Sequence, residues 1–165
     1  AFEEQARAIA KAAPDAIVVE TMMDPAEARI AAVAAVQTGL PVVACMVFDS
    51  GKLKDRTMMG TTPEQVVEAL SRAGVDAVGA NCGQGIDGFI PICRRMRAAT
   101  DLPLWMKPNA GLPERIEGQV VYRTTAREFV RSVPELVQAG ANFLGGCCGT
   151  DETFIHEIGT TLKSV

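Results

Sequence analysis

The sequence predicts an α/β protein of the (β/α)8 TIM-barrel type, a partial barrel with only the C-terminal five β/α units. Three observations lead there. Short apolar runs at 16–20, 42–48, 77–80, 104–107 and 143–145 are rich in Val, Ile and Leu and mostly lack polar alternation. Such runs suit parallel strands covered on both faces. Between them one order recurs: strand, loop, capped helix, glycine, next strand. The third observation is length. A complete barrel takes about 250 residues, and the chain has 165. An open doubly wound sheet is the alternative. It is set aside on the expectation that no Gly-x-Gly-x-x-Gly fingerprint opens a helix, an expectation corrected below.

The elements follow in order. A helix over 2–12 precedes the first strand and lacks a strand of its own. Asp24-Pro25-Ala26-Glu27 offers a cap, a proline at the first helical position and a carboxylate reaching back. Thr62-Pro63-Glu64-Gln65 does the same with Gln, and Thr125-Ala126-Arg127-Glu128 repeats the capping box. Asp151 and Glu152 favour the positive end of a last helix. Gly39, Gly74 and Gly140 stand where three helices stop. Two long connections, 49–61 and 108–124, follow strand ends, where a barrel builds its site. Residues 1–165 read as one domain. The chain starts at Ala1 without Met, so it reads as a segment of something longer, with three units of the barrel missing.

Composition excludes several classes. Hydrophobic residues are 48% and charged residues 22%, a globular balance. A net charge of -4 gives no electrostatic case for nucleic acid or an anionic membrane. The most apolar stretch, 26–48, is interrupted by Glu27, Arg29, Gly39 and Pro41, so it is no membrane span. Five cysteines, two of them adjacent, make a poor disulfide framework and suit a reducing cytoplasm.

Polar residues gather at the predicted strand ends: Glu20, Asp49, Asn81, Cys82, Asn109, Cys147 and Cys148. Gly79-Ala80-Asn81-Cys82-Gly83 and Gly145-Gly146-Cys147-Cys148-Gly149 deliver three sulfurs to two strands with one strand between them. That pattern reads as a zinc site of Cys82, Cys147 and Cys148 with one position open, the mark of a catalytic rather than a structural zinc. The bland alternatives are small buried cysteines or a vicinal disulfide. Cys45 and Cys93 read as core residues. His156, the single histidine, reads as a surface residue, which disfavours Ser-His or Cys-His catalysis. Glu20 either bonds a loop amide or holds a substrate ammonium. Asn109 lines the pocket or only shapes a Pro-rich turn. Arg56, Met58 and Met59 gate a site, meet a partner, or belong to a surface loop.

Together these segments resemble the zinc-dependent homocysteine S-methyltransferase family. The likeness runs through Glu20-Thr21-Met22, Asp49, Arg56-Thr57-Met58-Met59-Gly60, Gly79-Ala80-Asn81-Cys82, Pro108-Asn109-Ala110-Gly111-Leu112-Pro113 and Gly145-Gly146-Cys147-Cys148-Gly149. Within the family it is most similar to the homocysteine-binding module of cobalamin-dependent methionine synthase. The resemblance implies zinc on the three cysteines and homocysteine joining it through sulfur, with Glu20 near the amino group. Asn81 and Asn109 are the further expected substrate-binding residues. Zinc would turn the thiol into a thiolate, which attacks a methyl donor directly and gives methionine. The resemblance makes methylcobalamin on a corrinoid-carrying domain the first candidate donor. Further expected partners are the missing N-terminal part of the barrel or another copy of the chain. The competing readings are a truncated zinc-binding half-barrel acting as a non-catalytic or partner-dependent module, and a lyase or aldolase using Lys107, the sole strand-end lysine.

Overall fold

The computed structural model describes residues 1–164. Five parallel strands form one sheet in the order β1-β2-β3-β4-β7. They are β1 (Ile17–Met22), β2 (Val42–Met46), β3 (Ala77–Cys82), β4 (Leu104–Pro108) and β7 (Phe143–Leu144). Around them lie α1 (Phe2–Ala10), α2 (Pro25–Val36), α3 (Pro63–Arg72), α4 (Ile86–Ala99), α5 (Ala126–Phe129), α6 (Val133–Gln138) and α7 (Glu152–Leu162). All strand pairs along the sheet are parallel, as in five consecutive units of a β/α barrel. Among the described residues, no helix is long and apolar enough to cross a membrane.

The local signals act as the chain chemistry requires. Thr62 accepts from the Gln65 N–H while the Gln65 side chain bonds the Thr62 N–H, and Thr125 and Glu128 repeat the exchange. Asp151 caps α7 through the Thr153 and Phe154 amides. Asp24 caps α2 at the Ala26 amide, 2.8 Å away, without the expected help of Glu27. Gly39, Gly74 and Gly140 take φ values of +77°, +83° and +108°, which end the preceding helices.

Three expectations need correction. The 108–124 connection is not irregular throughout. It folds into an antiparallel hairpin, β5 (Glu114–Ile116) and β6 (Gln119–Val121), turned by Glu117 and Gly118, both at positive φ. The helix expected from Thr125 to Gly140 is broken, with a 3-10 turn over Val130–Ser132 before α6. Pro134 in the first turn of α6 has no amide hydrogen to continue a longer helix. Finally, β1 runs past Glu20 to Met22, with a register shift between Val19 and Met22.

The alternation of the strands divides the core. Val42, Ala44 and Met46 of β2 belong to the large cluster beneath the helices, with Phe89, Phe129 and Leu136. Val43 and Cys45 face the other way, with Ala77 and Trp105. Trp105 stacks on Phe143 at 4.9 Å between ring centroids. On this second face of the sheet lie Glu20 and Lys107. The edge strand β1 and helix α1 border a small cleft of about 190 Å³ lined by Phe2, Ile9, Val18 and Met22.

Candidate metal centre

The strand ends bring the three cysteines together. The sulfurs of Cys82, Cys147 and Cys148 all lie within 4.8 Å of one another. Cys82 Sγ is 3.9 Å from Cys148 Sγ, and Cys147 Sγ is 4.0 Å from it. A disulfide would need about 2.05 Å, and all five cysteines are free. Three sulfurs bound to one tetrahedral zinc at ~2.3 Å would stand roughly 3.8 Å apart. The spacing and the soft donor set therefore fit zinc.

The end of β4 holds the two sulfur segments in place. The Asn109 N–H donates to the Cys82 carbonyl at 3.1 Å, and the Cys147 N–H donates to the Pro108 carbonyl at 3.0 Å. The Ala110 N–H donates to the Cys148 carbonyl at 3.0 Å. The Asn109 side chain spans both sides. Its Nδ2 donates to the Gly83 carbonyl at 2.9 Å, and its Oδ1 accepts from the Cys148 N–H at 3.1 Å. Asn109 is 5% exposed, so its amide is committed to these bonds.

Cys82 itself has φ of +67°, an uncommon state for a residue with a side chain, and such strain concentrates at functional sites. Gly149, at φ +79°, permits close contact from above. A Cβ there would come within 2.2 Å of the Tyr122 ring. Desolvation, reinforced by the Cys147 and Cys82 sulfurs, pushes the Cys148 thiol up to about 11.

Asn81 is fully buried. Its Oδ1 accepts from the Thr21 N–H at 2.8 Å, and its Nδ2 donates to Thr21 Oγ1 at 2.7 Å. The same Nδ2 is 3.7 Å from Cys147 Sγ. Glu20, one residue before Thr21, accepts from Lys107 Nζ at 2.5 Å across the sheet. Asp49 accepts from the Ser50 hydroxyl at 2.8 Å. Cys45 and Cys93 are wholly buried, as the sequence indicates. His156 is exposed on α7. Met58 and Met59 are exposed in a turn closed by the Thr57 N–H on the Thr61 carbonyl at 3.0 Å, just past a Ser50–Arg56 bridge.

Sequence reasoning missed Tyr122 as part of this region, and it gave Thr21 and Lys107 no partners there: Thr21 entered only through the family likeness and Lys107 only as the lysine of a lyase or aldolase. Thr21 reads as helix-cap sequence, and Tyr122 stands alone after an unrecognised hairpin. A glycine pattern was missed too: Gly83, Gly85 and Gly88 have Gly-x-Gly-x-x-Gly spacing and open α4. The acidic residue that such a fingerprint uses on a ribose, about 20 residues on, has no counterpart in β4. A cleft of about 510 Å³ beside these glycines is lined by Arg123 and Arg131, and by none of the three cysteines.

Fold and site thus define an α/β protein with a three-thiol site of metal-binding geometry at the C-terminal ends of parallel strands. The homocysteine S-methyltransferase family model matches residues 1–162, and the chain belongs to that family. Among solved structures, the apo form of the homocysteine methyltransferase MmuM from Escherichia coli is similar, with 22% identity and a TM-score of 0.75. The match covers 97% of this chain and 56% of that one. The metallated form of MmuM matches at 22% identity and TM-score 0.76, covering 96% and 50%. The carboxyl transferase domain of Rhizobium etli pyruvate carboxylase shares the fold at 14% identity and TM-score 0.63, covering 99% and 31%. The chain spans about half the length of the MmuM structures.

Proposed function

We propose that this chain binds zinc through Cys82, Cys147 and Cys148 and takes part in methyl transfer to the thiol of homocysteine. The convergence of three sulfurs from residues far apart in sequence carries this reading. When bound, zinc would supply the Lewis acidity that lowers the pKa of an incoming thiol and favours the thiolate. The protein's part is positional. Asn109 and the amides of Ala110 and Cys147 hold the sulfur segments. Glu20 receives the substrate ammonium, for which Lys107 is the resident stand-in. Asn81 and Asn109 border the substrate and fix its surroundings.

In the transfer, a new sulfur–carbon bond forms as the methyl group's bond to its donor breaks. The donor's leaving group keeps the electron pair, and the thiol proton goes to solvent. The family resemblance supports methylcobalamin, carried by a corrinoid-binding domain, as the donor. Five cysteines, two of them adjacent, make a poor disulfide framework, which supports a cytoplasmic setting. A second reading is favoured by the edge of β1, whose Val18 is 38% exposed beside an apolar cleft. Here the module works only once the rest of a barrel, or another copy of the chain, covers that edge.

The test is metal analysis joined to X-ray absorption. The purified chain should hold one zinc with three sulfur neighbours, rising to four when homocysteine is added. Cys82→Ser should lower zinc affinity by orders of magnitude. Zinc retained in full by Cys82→Ser would end the metal reading. Unchanged coordination with homocysteine would end the methyltransfer reading alone.

A further inference from the structure

We infer that Asn81 is a positioning residue that sets the length of amino thiol the site accepts. The inference rests on the reading of the site given above. Its basis is the double clamp on Thr21. That residue has φ of +60°, a backbone state that a β-branched residue rarely adopts. Both of its bonding groups go to one partner: its N–H to Asn81 Oδ1 at 2.8 Å and its Oγ1 to Asn81 Nδ2 at 2.7 Å. Asn81 is fully buried, and the same Nδ2 approaches Cys147 Sγ at 3.7 Å. One side chain therefore touches both the sulfur trio and the residue next to Glu20.

The clamp spans β1 and β3, which are separated by β2. It fastens the strained end of β1, within the register shift between Val19 and Met22, to the strand carrying Cys82. On the other side, Lys107, which pairs in register with Asn81, holds the Glu20 carboxylate. The carboxylate and the sulfur site are thus held at a fixed separation. A ligand bound at one end by its ammonium and at the other by its sulfur must match that separation. Homocysteine and cysteine differ by one methylene between these groups. Asn81 makes the site reject the shorter one.

The experiment uses the cobalt(II)-loaded chain, whose thiolate-to-metal absorption reports sulfur entering the coordination sphere. Homocysteine, cysteine and 2-mercaptoethanol are titrated into the wild type, Asn81→Ala, Thr21→Val and Thr21→Ser, each at full metal occupancy. The wild type should prefer homocysteine to cysteine by about 10-fold or more, the discrimination a single methylene can support. Asn81→Ala should reduce the preference to about 3-fold or less. Thr21→Val keeps its shape and N–H but loses Oγ1, so it should fall between. Thr21→Ser keeps the hydroxyl and should match the wild type. Affinity for 2-mercaptoethanol, which lacks an ammonium, reads any general effect on sulfur binding through the Asn81–Cys147 contact, and the preference between homocysteine and cysteine is judged beside it. An unchanged preference in both Asn81→Ala and Thr21→Val, with thiols still binding, overturns the inference and leaves the functional reading intact. If no thiol adds to the metal in the wild type, both fail together.

Discussion

The strand-end rim and the layers behind it use the same side chains in opposite ways. At the rim, Cys82, Cys147 and Cys148 crowd within 4.8 Å and remain partly accessible. Behind it, Cys45 and Cys93 stand apart and are wholly buried. Burial pushes the Cys45 thiol far above its ordinary range and the Cys93 thiol up to about 11. The charges divide likewise. Glu20 and Lys107 meet across the sheet, both partly exposed. Glu64 and Arg95 join neighbouring helices α3 and α4 in an ordinary bidentate pair, at 2.6 and 2.7 Å. Residue type alone therefore does not mark function here. Position at a strand end, in unusual backbone and with shared partners, marks the proposed site.

The largest expected contrast is in thiol reactivity. In metal-free, folded protein, an aromatic disulfide reagent should reach the rim cysteines directly, with Cys148 the slowest of the three because its thiol is pushed up to about 11. Cys45 and Cys93 should react only through opening of the core, slower by about a thousandfold or more. Mass mapping of the modified peptides reads this directly. Equal rates for all five thiols would erase the distinction between rim and core.

A smaller effect is expected at Gly149. An alanine there faces a positive φ and a Cβ only 2.2 Å from the Tyr122 ring. Gly149→Ala should cost about 1–3 kcal/mol in chemical denaturation. Tyr122→Ala in the same chain should recover the steric share, so the two changes will not add. Simple additivity would mean that Tyr122 does not press on the sulfur loop.

How much of this was legible follows from the range of each signal. The caps at Thr62, Thr125 and Asp151 and the helix stops at Gly39, Gly74 and Gly140 are local, and the strand order followed from them. The cysteine trio was legible because its residue type is rare and its spacing places it on two nearby strand ends. The hairpin over 114–121 was not, since each strand has only three residues and little alternation. The roles of Thr21, Lys107 and Tyr122 were hidden for another reason. Each depends on a partner contributed by a different segment: Asn81 is 60 positions from Thr21, and Glu20 is 87 from Lys107. Sequence distance carries no trace of such a meeting. The glycines at 83, 85 and 88 show the converse. Their spacing matches a dinucleotide fingerprint, yet here they carry the chain out of the strained Cys82, with Gly83 and Gly85 at φ of +70° and +121°.

The smallest effect concerns the charges of the helical layer. Arg95, hydrogen-bonded to Glu64, lowers that carboxyl from its ordinary 4.5 to about 2. Its folded-state pKa lies below its unfolded one, so the pair's stabilisation is fully present above about pH 4.5. It declines as pH falls toward about 2, where the carboxyl takes up a proton in both states. The Glu64 side chain is 45% exposed, so solvent screening keeps the effect small. Glu64→Gln should flatten the acid limb of the stability curve between pH 4.5 and 2 and leave zinc content at neutral pH unchanged. A loss of zinc in this variant would join the helical layer to the rim and break the division between them. An unaltered acid limb would instead show that Asp55, which also meets Arg95, carries the pairing by itself.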